Sequence, residues 1–216
     1  MVNKTAVVIG ATGLVGHAIV MQIIQMEQIS KIVTLTRRPV SYSSEKVVNQ
    51  VVDFDNLEGI SDLLRGDYLF SCLGTTLKQA GSIEAQRKVD IDYQFKVAQL
   101  AANVGVEHYL LVSASGANPQ SKNAYLKMKG ELEQKITALP FSQISIFQPS
   151  LLLGQRDHFR MGEKIGSWIL PILGFIPGLK RYRPITGQQV AKKMIAVSQQ
   201  TLPRLNYFRL DDIFIK

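Results

Sequence analysis

The sequence predicts an α/β protein: a Rossmann-like, doubly wound parallel sheet with a small C-terminal substrate cap. Short apolar runs alternate with segments of helical period, as in sheets that helices cover on both faces. A glycine-rich turn joins the first run to the first helical segment, which is typical of dinucleotide-binding folds. The 216 residues, 46% of them hydrophobic, suit one well-packed domain. We therefore expect a single domain over residues 1–216, with its core at 4–150 and the cap at about 151–216.

The predicted strands are continuous apolar runs rich in β-branched residues, as expected for strands buried in a parallel sheet. In chain order they cover 5–9, 31–35, 47–54, 67–73, 108–113 and 141–147. The predicted helices carry apolar residues at three- and four-residue spacings. They cover 14–27, 83–103, 122–138 and 187–199. A last run at 206–210 can close the sheet, which gives about six or seven strands.

The turn after the first strand has the sequence Gly10-Ala-Thr-Gly13-Leu-Val-Gly16. The first glycine allows a sharp turn, the second lets the backbone approach a pyrophosphate, and the third lets helix and strand pack closely. The helix N-terminus adds unpaired N–H groups and the positive end of its dipole. Glycines also mark ordinary turns, but here a strand precedes the motif and a helix follows it. The motif therefore predicts dinucleotide binding rather than a structural turn.

The end of the second predicted strand carries Arg37 and Arg38 and no acidic residue. An NAD-selective site usually has Asp or Glu there for the ribose hydroxyl, whereas a guanidinium pairs with the 2′-phosphate of NADPH. A solvated arginine pair is the alternative, but its position favours NADPH over NADH. Asp53, at the end of the third strand, is expected near the adenine amino group, with a turn cap as the alternative.

Tyr125 and Lys129 are four residues apart on a predicted helix and therefore share one face. A lysine ammonium beside a phenol stabilises the phenolate. Such a tyrosine can exchange a proton with a carbonyl or alcohol oxygen while hydride moves. Ser113, at the end of the fifth strand, is expected to orient the substrate oxygen, and Ser115 competes for that role. The alternative is a packed tyrosine beside a surface lysine, but the order of glycine loop, serine, tyrosine and lysine favours a catalytic site.

Charge restricts the partners without selecting one. The chain has 25 Lys and Arg against 17 Asp and Glu, a net charge of +8 and a pI near 9.6. We expect a small-molecule substrate, and we disfavour nucleic acid because the basic cluster at 180–183 is short. A homodimer or a protein partner stays open.

Cysteine and apolar segments restrict the class further. Cys72 is the single cysteine and the histidines are scattered, which predicts neither a disulfide framework nor a metal site. The longest apolar stretch, 165–179, contains two prolines and is shorter than the ~20 residues that span a bilayer. No secretory signal opens the chain. We therefore expect a cytoplasmic protein with no membrane contact.

Several segments resemble the short-chain dehydrogenase/reductase superfamily, in its atypical branch. The match is closer to the Tat-interacting-protein oxidoreductase family, which is also described as nucleoside-diphosphate-sugar epimerase-like. The motifs that carry it are GATGLVG, LTRRP, CLGTTLKQAGSIEAQRKVDIDY (72–93), SASGA, YLKMKGELE and FQPSLLLG. The resemblance covers most of residues 4–200 and implies a Rossmann-like fold with bound NADP(H).

The resemblance also implies a role for individual residues along the cofactor. Those that the resemblance implies for the pyrophosphate are Gly10, Thr12, Gly13, Leu14 and Val15, and the glycine motif itself adds Gly16. Those that it implies at the adenosine end are Arg37, Asp53 and Phe54, and the end of the second strand adds Arg38. Those expected along the nicotinamide half are Leu73, Gly74, Thr75, Tyr125, Lys129, Pro149, Ser150 and Leu151.

The chain departs from the superfamily pattern at two positions. Asp90 stands where many members have the asparagine of a proton relay. Gln148 stands before Pro149, where arginine is frequent. The prediction that follows is an NADP(H)-dependent oxidoreductase with Tyr125 as acid/base, Lys129 as its partner and Ser113 orienting the carbonyl. A non-catalytic NADPH-binding redox sensor or regulatory scaffold is the alternative.

Overall fold

The structure, a computed structural model, describes residues 3–153 and 180–215. The strands in these residues are Lys4–Ile9 (β1), Ile29–Thr36 (β2), Val47–Val51 (β3), Tyr68–Ser71 (β4), His108–Val112 (β5), Gln143–Gln148 (β6), Leu152–Leu153 (β7), Ile185–Thr186 (β8) and Leu205–Arg209 (β9). The α-helices are Leu14–Ile23 (α1), Leu77–Ala80 (α2), Ile83–Arg87 (α3), Gln94–Asn103 (α4), Ala124–Thr137 (α5) and Gly187–Ser198 (α6). A π-helical turn, Lys88–Tyr93, joins α3 to α4.

Seven of these strands form one sheet in the order β3-β2-β1-β4-β5-β6-β9, and every neighbouring pair is parallel. Because all strands point the same way, their carboxyl ends lie at one edge of the sheet. The strand order reverses beside β1, and ligands of such sheets bind at that switch point. The predicted doubly wound parallel sheet is confirmed, and the site residues predicted at strand ends are brought to one edge.

Alternation along β1 explains why the sheet is covered on both faces. Val7 and Ile9 pack in the cluster on the side of α4 and α5, whereas Ala6 and Val8 pack in the cluster on the side of α1 and α6. All four side chains are fully buried. A strand that is apolar at every position can only be satisfied by two covering layers.

The long helix predicted at 83–103 is interrupted in the structure. The π-helical turn inserts wider backbone geometry between α3 and α4, and such turns are frequent at functional sites. The turn buries Asp90 and Ile91. The predicted third strand also ends earlier, at Val51 rather than at Phe54, so Asp53 and Phe54 lie in the following loop.

The last described part of the chain completes the core. α6 starts with a capping box between Thr186 and Gln189 and packs against α1. β9 pairs with β6 at the edge of the sheet. The predicted helix 187–199 and the closing strand 206–210 are thus confirmed within a residue. Of the substrate cap expected at about 151–216, residues 154–179 lie outside the described residues.

Candidate active site

The glycine loop is shaped by close backbone approach. Gly10 has φ +76°, and a Cβ added to it would lie 2.4 Å from the carbonyl oxygen of Cys72 at the end of β4. A Cβ on Gly16 would lie 2.2 Å from the carbonyl oxygen of Gly10. Only hydrogen fits at either position, so the loop stays tight against β4 and the start of α1 faces the cleft. Gly13 donates its N–H to the Gly10 carbonyl at 2.9 Å and leads directly into α1.

A cleft of about 1540 Å³ extends from this loop across the ends of β1 and β2. The glycine loop, the ends of β2 and β4, and the start of α6 line it. Arg37 and Arg38 border the cleft and are exposed, as the sequence predicts for groups that meet a phosphate. None of the described residues that line it is Asp or Glu. The local charge therefore favours an anionic ligand.

The side of this cleft beyond β2 carries an aromatic pair. Phe54 lines the cleft, and its ring centroid lies 5.5 Å from that of Tyr93. The Tyr93 hydroxyl donates to Asp55, and the Lys88 ammonium lies 2.6 Å from the same carboxylate. Asp53 is exposed, is not among the described residues lining either cleft, and accepts the Asp55 N–H at 2.9 Å. Asp53 caps a turn here, because β3 ends before it, whereas Phe54 reaches the cleft as predicted.

A second cleft of about 390 Å³ adjoins the first. Leu73, Gly74 and Thr75, which follow β4, border both clefts. Other predicted site residues line this second cleft. Those predicted along the nicotinamide half are Tyr125, Lys129, Pro149, Ser150 and Leu151; those predicted elsewhere are Leu14 and Val15 of the glycine loop and Ser113. Gly16 is the one predicted loop residue that lines neither cleft, since it is buried in the first turn of α1 against the Gly10 carbonyl.

Tyr125 and Lys129 sit one turn apart on α5, as their spacing predicts. α5 is capped by the side chain of Asn123, which accepts the Leu126 N–H at 3.1 Å. The Lys129 ammonium lies 5.8 Å from the centroid of the Tyr125 ring and 2.8 Å from Asp90 Oδ1. Burial lowers the pKa of Lys129, but the charges of Asp90 and Tyr125 outweigh it, so the net shift is upward. Lys129 is held as a cation beside the tyrosine.

Both serines that compete for the substrate oxygen line the second cleft. The Ser113 hydroxyl is buried and donates to Glu133 on α5. The Ser115 N–H donates to the Pro149 carbonyl at 2.9 Å.

Cys72 lines both clefts. Burial raises the pKa of its thiol far above its usual range, so Cys72 is a poor nucleophile.

Several residues of the site were not predicted. His17, Lys88 and Lys192 border the large cleft, as do Thr186 to Gln189 at the start of α6, and Tyr182 borders the smaller one. The start of α6 lies close to the glycine loop: a Cβ added to Gly187 would lie 2.6 Å from the Leu14 carbonyl oxygen. No local pattern signals such a contact, because it joins segments over 170 residues apart. The Lys88 and Tyr93 positions could have been found from the family-like run 72–93 that contains them.

The fold and the site define a dinucleotide-binding α/β protein of the short-chain dehydrogenase/reductase type. The family model described as NAD dependent epimerase/dehydratase family matches residues 6–150. The chain belongs to this family.

Curated relatives extend the match. Protein HTATIP2 of Rattus norvegicus is 37% identical over 167 residues, which are 76% of this chain and 69% of that protein. Protein FMP52, mitochondrial, of Saccharomyces cerevisiae is 33% identical over 202 residues, which are 90% of this chain and 87% of that protein. The family resemblance stated from the motifs is confirmed.

Solved structures share the architecture at low sequence identity. MoeE5 in complex with UDP-glucuronic acid and NAD has a TM-score of 0.73 at 13% identity, over 95% of this chain and 76% of that chain. The UDP-glucose 4-epimerase of Thermus thermophilus in complex with NAD has a TM-score of 0.72 at 14% identity, over 95% and 77%. Likeness at this identity shows the fold.

One expectation is corrected by these relatives. The predicted cytoplasmic location is wrong, since FMP52 proteins from Saccharomyces cerevisiae, Candida glabrata and Emericella nidulans are all named as mitochondrial. The reason the prediction failed is that it relied on the lack of a secretory signal and of a spanning segment, and neither feature distinguishes these compartments. Within residues 3–153 and 180–215, no helix has the length and apolar character to cross a membrane.

Proposed function

We propose that this protein is an NADP(H)-dependent oxidoreductase that moves hydride to or from a small carbonyl or alcohol substrate. One observation carries the proposal. Tyr125 and Lys129 line a cleft that shares Leu73, Gly74 and Thr75 with the cleft of the glycine loop. A dinucleotide lying along the first cleft would thus end beside the acid/base pair. Family membership supports a nicotinamide dinucleotide, and the glycine cradle fits its pyrophosphate.

The preference for NADP(H) is supported by charge. Arg37, Arg38, Lys88 and Lys192 border the large cleft, and the described residues that line it include no carboxylate. A ribose 2′-hydroxyl is bound by a hydrogen-bond acceptor, usually a carboxylate, whereas a 2′-phosphate is bound by positively charged donors. The exposed guanidinium groups after β2 are the ones best placed for that phosphate.

The chemistry of the proposal assigns each group one task. A bound reduced nicotinamide supplies a hydride when the substrate is a carbonyl. The Tyr125 hydroxyl donates a proton to the carbonyl oxygen as charge develops on it, and in the reverse direction its phenolate accepts that proton. The Lys129 ammonium stabilises the phenolate electrostatically. Asp90 keeps Lys129 charged and oriented in its buried position.

The proposal is tested with Tyr125→Phe. Nucleotide binding is measured by calorimetry, and turnover of NADPH is followed with benzaldehyde and phenanthrenequinone as carbonyl probes. Loss of the acid should lower turnover by about a hundredfold or more, while the NADPH affinity stays nearly constant because the ring remains. Tyr68→Phe is the matched control, since Tyr68 lies at the start of β4, at the opposite edge of the sheet.

Two results would contradict the proposal. Full turnover by Tyr125→Phe would exclude its acid/base role. Nucleotide binding by the wild-type protein without turnover of either probe would favour a non-catalytic NADPH-binding sensor or scaffold.

A further inference from the structure

A buried polar chain runs from the cleft to the far edge of the sheet. The Ser113 hydroxyl donates to Glu133 Oε1. Gln148 Nε2 donates to both carboxylate oxygens of Glu133, at 2.9 and 3.0 Å. Arg209 Nε, on β9, donates to Gln148 Oε1 at 3.0 Å. Ser113, Glu133 and Gln148 are 4%, 7% and 7% exposed, so water competes little for the bonds that meet at the Glu133 carboxylate.

This chain fixes the direction of the Ser113 hydroxyl. A hydroxyl has one hydrogen to donate and two lone pairs to accept with. An ionised carboxylate only accepts, so the Ser113 hydrogen points to Glu133 and its lone pairs face the cleft. A substrate carbonyl oxygen has no hydrogen to offer and gains nothing from these lone pairs.

The Ser115 hydroxyl, unlike that of Ser113, donates to no other described residue. Ser115 lines the same cleft as Tyr125 and Lys129. No hydrogen bond of its hydroxyl is found among residues 3–153 and 180–215, where only its backbone N–H is engaged, with Pro149. Within those residues its hydroxyl hydrogen has no acceptor, so it can turn toward a substrate oxygen.

We propose that Glu133 is a positioning residue that keeps Ser113 as a hydrogen-bond acceptor, so that Ser115, with Tyr125, donates to the substrate carbonyl oxygen. This inference rests on the proposed oxidoreductase function and refines the division of labour at that site. It also explains the glutamine before Pro149. The amide carries both a donor for Glu133 and an acceptor for Arg209, so it relays the guanidinium of the last strand to the buried carboxylate.

The decisive experiment reverses the direction of the hydrogen bond at the Ser113 hydroxyl by the isosteric change Glu133→Gln. In Glu133→Gln, Gln148 still needs an acceptor, so the new amide turns its oxygen to Gln148 and its NH₂ to Ser113. The Ser113 hydrogen is then released toward the cleft. Ser115→Ala alone should lower kcat for phenanthrenequinone or benzaldehyde reduction by about a hundredfold, the effect of removing one donor to a developing oxyanion.

Adding Glu133→Gln to Ser115→Ala should restore kcat by about tenfold, because Ser113 then supplies a donor. Ser113→Ala alone should lower kcat less than Ser115→Ala does, since it removes no donor to the substrate oxygen. Glu131→Gln is the matched control: it removes a carboxylate from the same helix, but one that pairs with Arg87 at 2.6 Å, and it should not rescue Ser115→Ala.

A pH profile tests the same point through the protonation of Glu133. Burial raises the pKa of Glu133, against the hydrogen bonds from Gln148 and Ser113 and the charges of Arg209 and Lys129. Burial and the charge of Glu133 raise the pKa of Tyr207 on β9. Once protonated, Glu133 can donate to Ser113, which frees the Ser113 hydrogen. The kcat of Ser115→Ala should thus rise relative to wild type as the pH falls, and this limb should vanish when Glu133→Gln is added.

The outcomes separate the two proposals. Wild-type protein that binds no nicotinamide nucleotide, or turns over neither probe, overturns the proposed function and this inference with it. Active wild-type protein whose Ser115→Ala variant keeps full kcat, or is not rescued by Glu133→Gln and has no acid limb, overturns only the inference.

Discussion

Lys129 Nζ lies 2.8 Å from Asp90 Oδ1, and both side chains are almost completely buried at 4% and 0% exposure. The Thr75 N–H donates to the other carboxylate oxygen at 3.2 Å. The pair joins the lysine of α5 to the π-helical turn and to the loop after β4. Its presence accounts for the aspartate at the position where asparagine is frequent: a buried ammonium needs a counter-charge.

Asp90→Asn should therefore destabilise the protein. Removing one partner leaves a buried ammonium uncompensated, which costs about 3 kcal/mol or more. Without the aspartate, burial would dominate and the pKa of Lys129 would fall. The free energy of unfolding is measured by urea denaturation. Asp92→Asn is the control, because Asp92 is exposed two residues along the same turn; equal losses in both variants would show that the ion pair contributes little.

Gly10→Ala should lower both stability and nucleotide affinity. A left-handed φ costs a non-glycine residue about 1–2 kcal/mol, and here the added Cβ also meets the Cys72 carbonyl at 2.4 Å. Gly105→Ala is a matched control, since Gly105 has φ +84° with nothing within 4 Å. Calorimetry with NADPH and thermal unfolding measure the two effects. Gly105→Ala should show the conformational cost alone, and a Gly10→Ala protein that binds NADPH normally would exclude the loop as its cradle.

Replacing Arg37 and Arg38 together by alanine should reverse the choice of nucleotide. Charge-assisted hydrogen bonds are worth about 1.5–3 kcal/mol each, so the Kd for NADPH should rise by about a hundredfold or more. The Kd for NADH should change by less than about threefold, because it has no 2′-phosphate. Arg65→Ala is the control, as Arg65 pairs with Asp62 on an exposed turn. Equal loss for both nucleotides would contradict the role proposed for the two arginines.

His108 should make the protein less stable in mild acid. Burial lowers its pKa from 6.5 to about 4, and its Nε2 lies 2.9 Å from Ser145 Oγ. As the pH falls from 6.5 toward 4, the unfolded chain takes up a proton that the folded chain refuses, so stability is lost across that window. The loss amounts to about 3 kcal/mol.

The measurement is urea denaturation between pH 7 and pH 4. His108→Gln keeps a polar group for Ser145 but cannot titrate, so its stability should vary less over the same window. His17→Gln is the control because His17 is exposed. An unchanged pH dependence in His108→Gln would assign the acid sensitivity to other groups.

The elements that could be predicted are those whose signal is local. β1 is apolar at consecutive positions, and the glycine loop lies between it and α1. Tyr125 and Lys129 share a face because four residues make about one helical turn. Asp53 does not line the cleft because β3 ends three residues earlier than predicted, at Val51. The end of a strand depends on its pairing, here with β2, and not on composition alone.

The sequence by itself determined the sheet-and-helix alternation, the nucleotide loop, the arginine pair and the tyrosine–lysine stripe, since each follows from neighbours within a turn or a strand. Only the tertiary structure decided that Asp90 pairs with Lys129, that α6 borders the large cleft, and that Arg209 reaches Glu133 through Gln148. Asp90 and Lys129 are 39 positions apart, and Gln148 and Arg209 are 61 positions apart. These contacts depend on the order of the strands and on how each helix packs against the sheet. Once a polar or charged side chain is buried, it needs a hydrogen-bond partner or a counter-charge, and the sequence does not show which polar residues become buried.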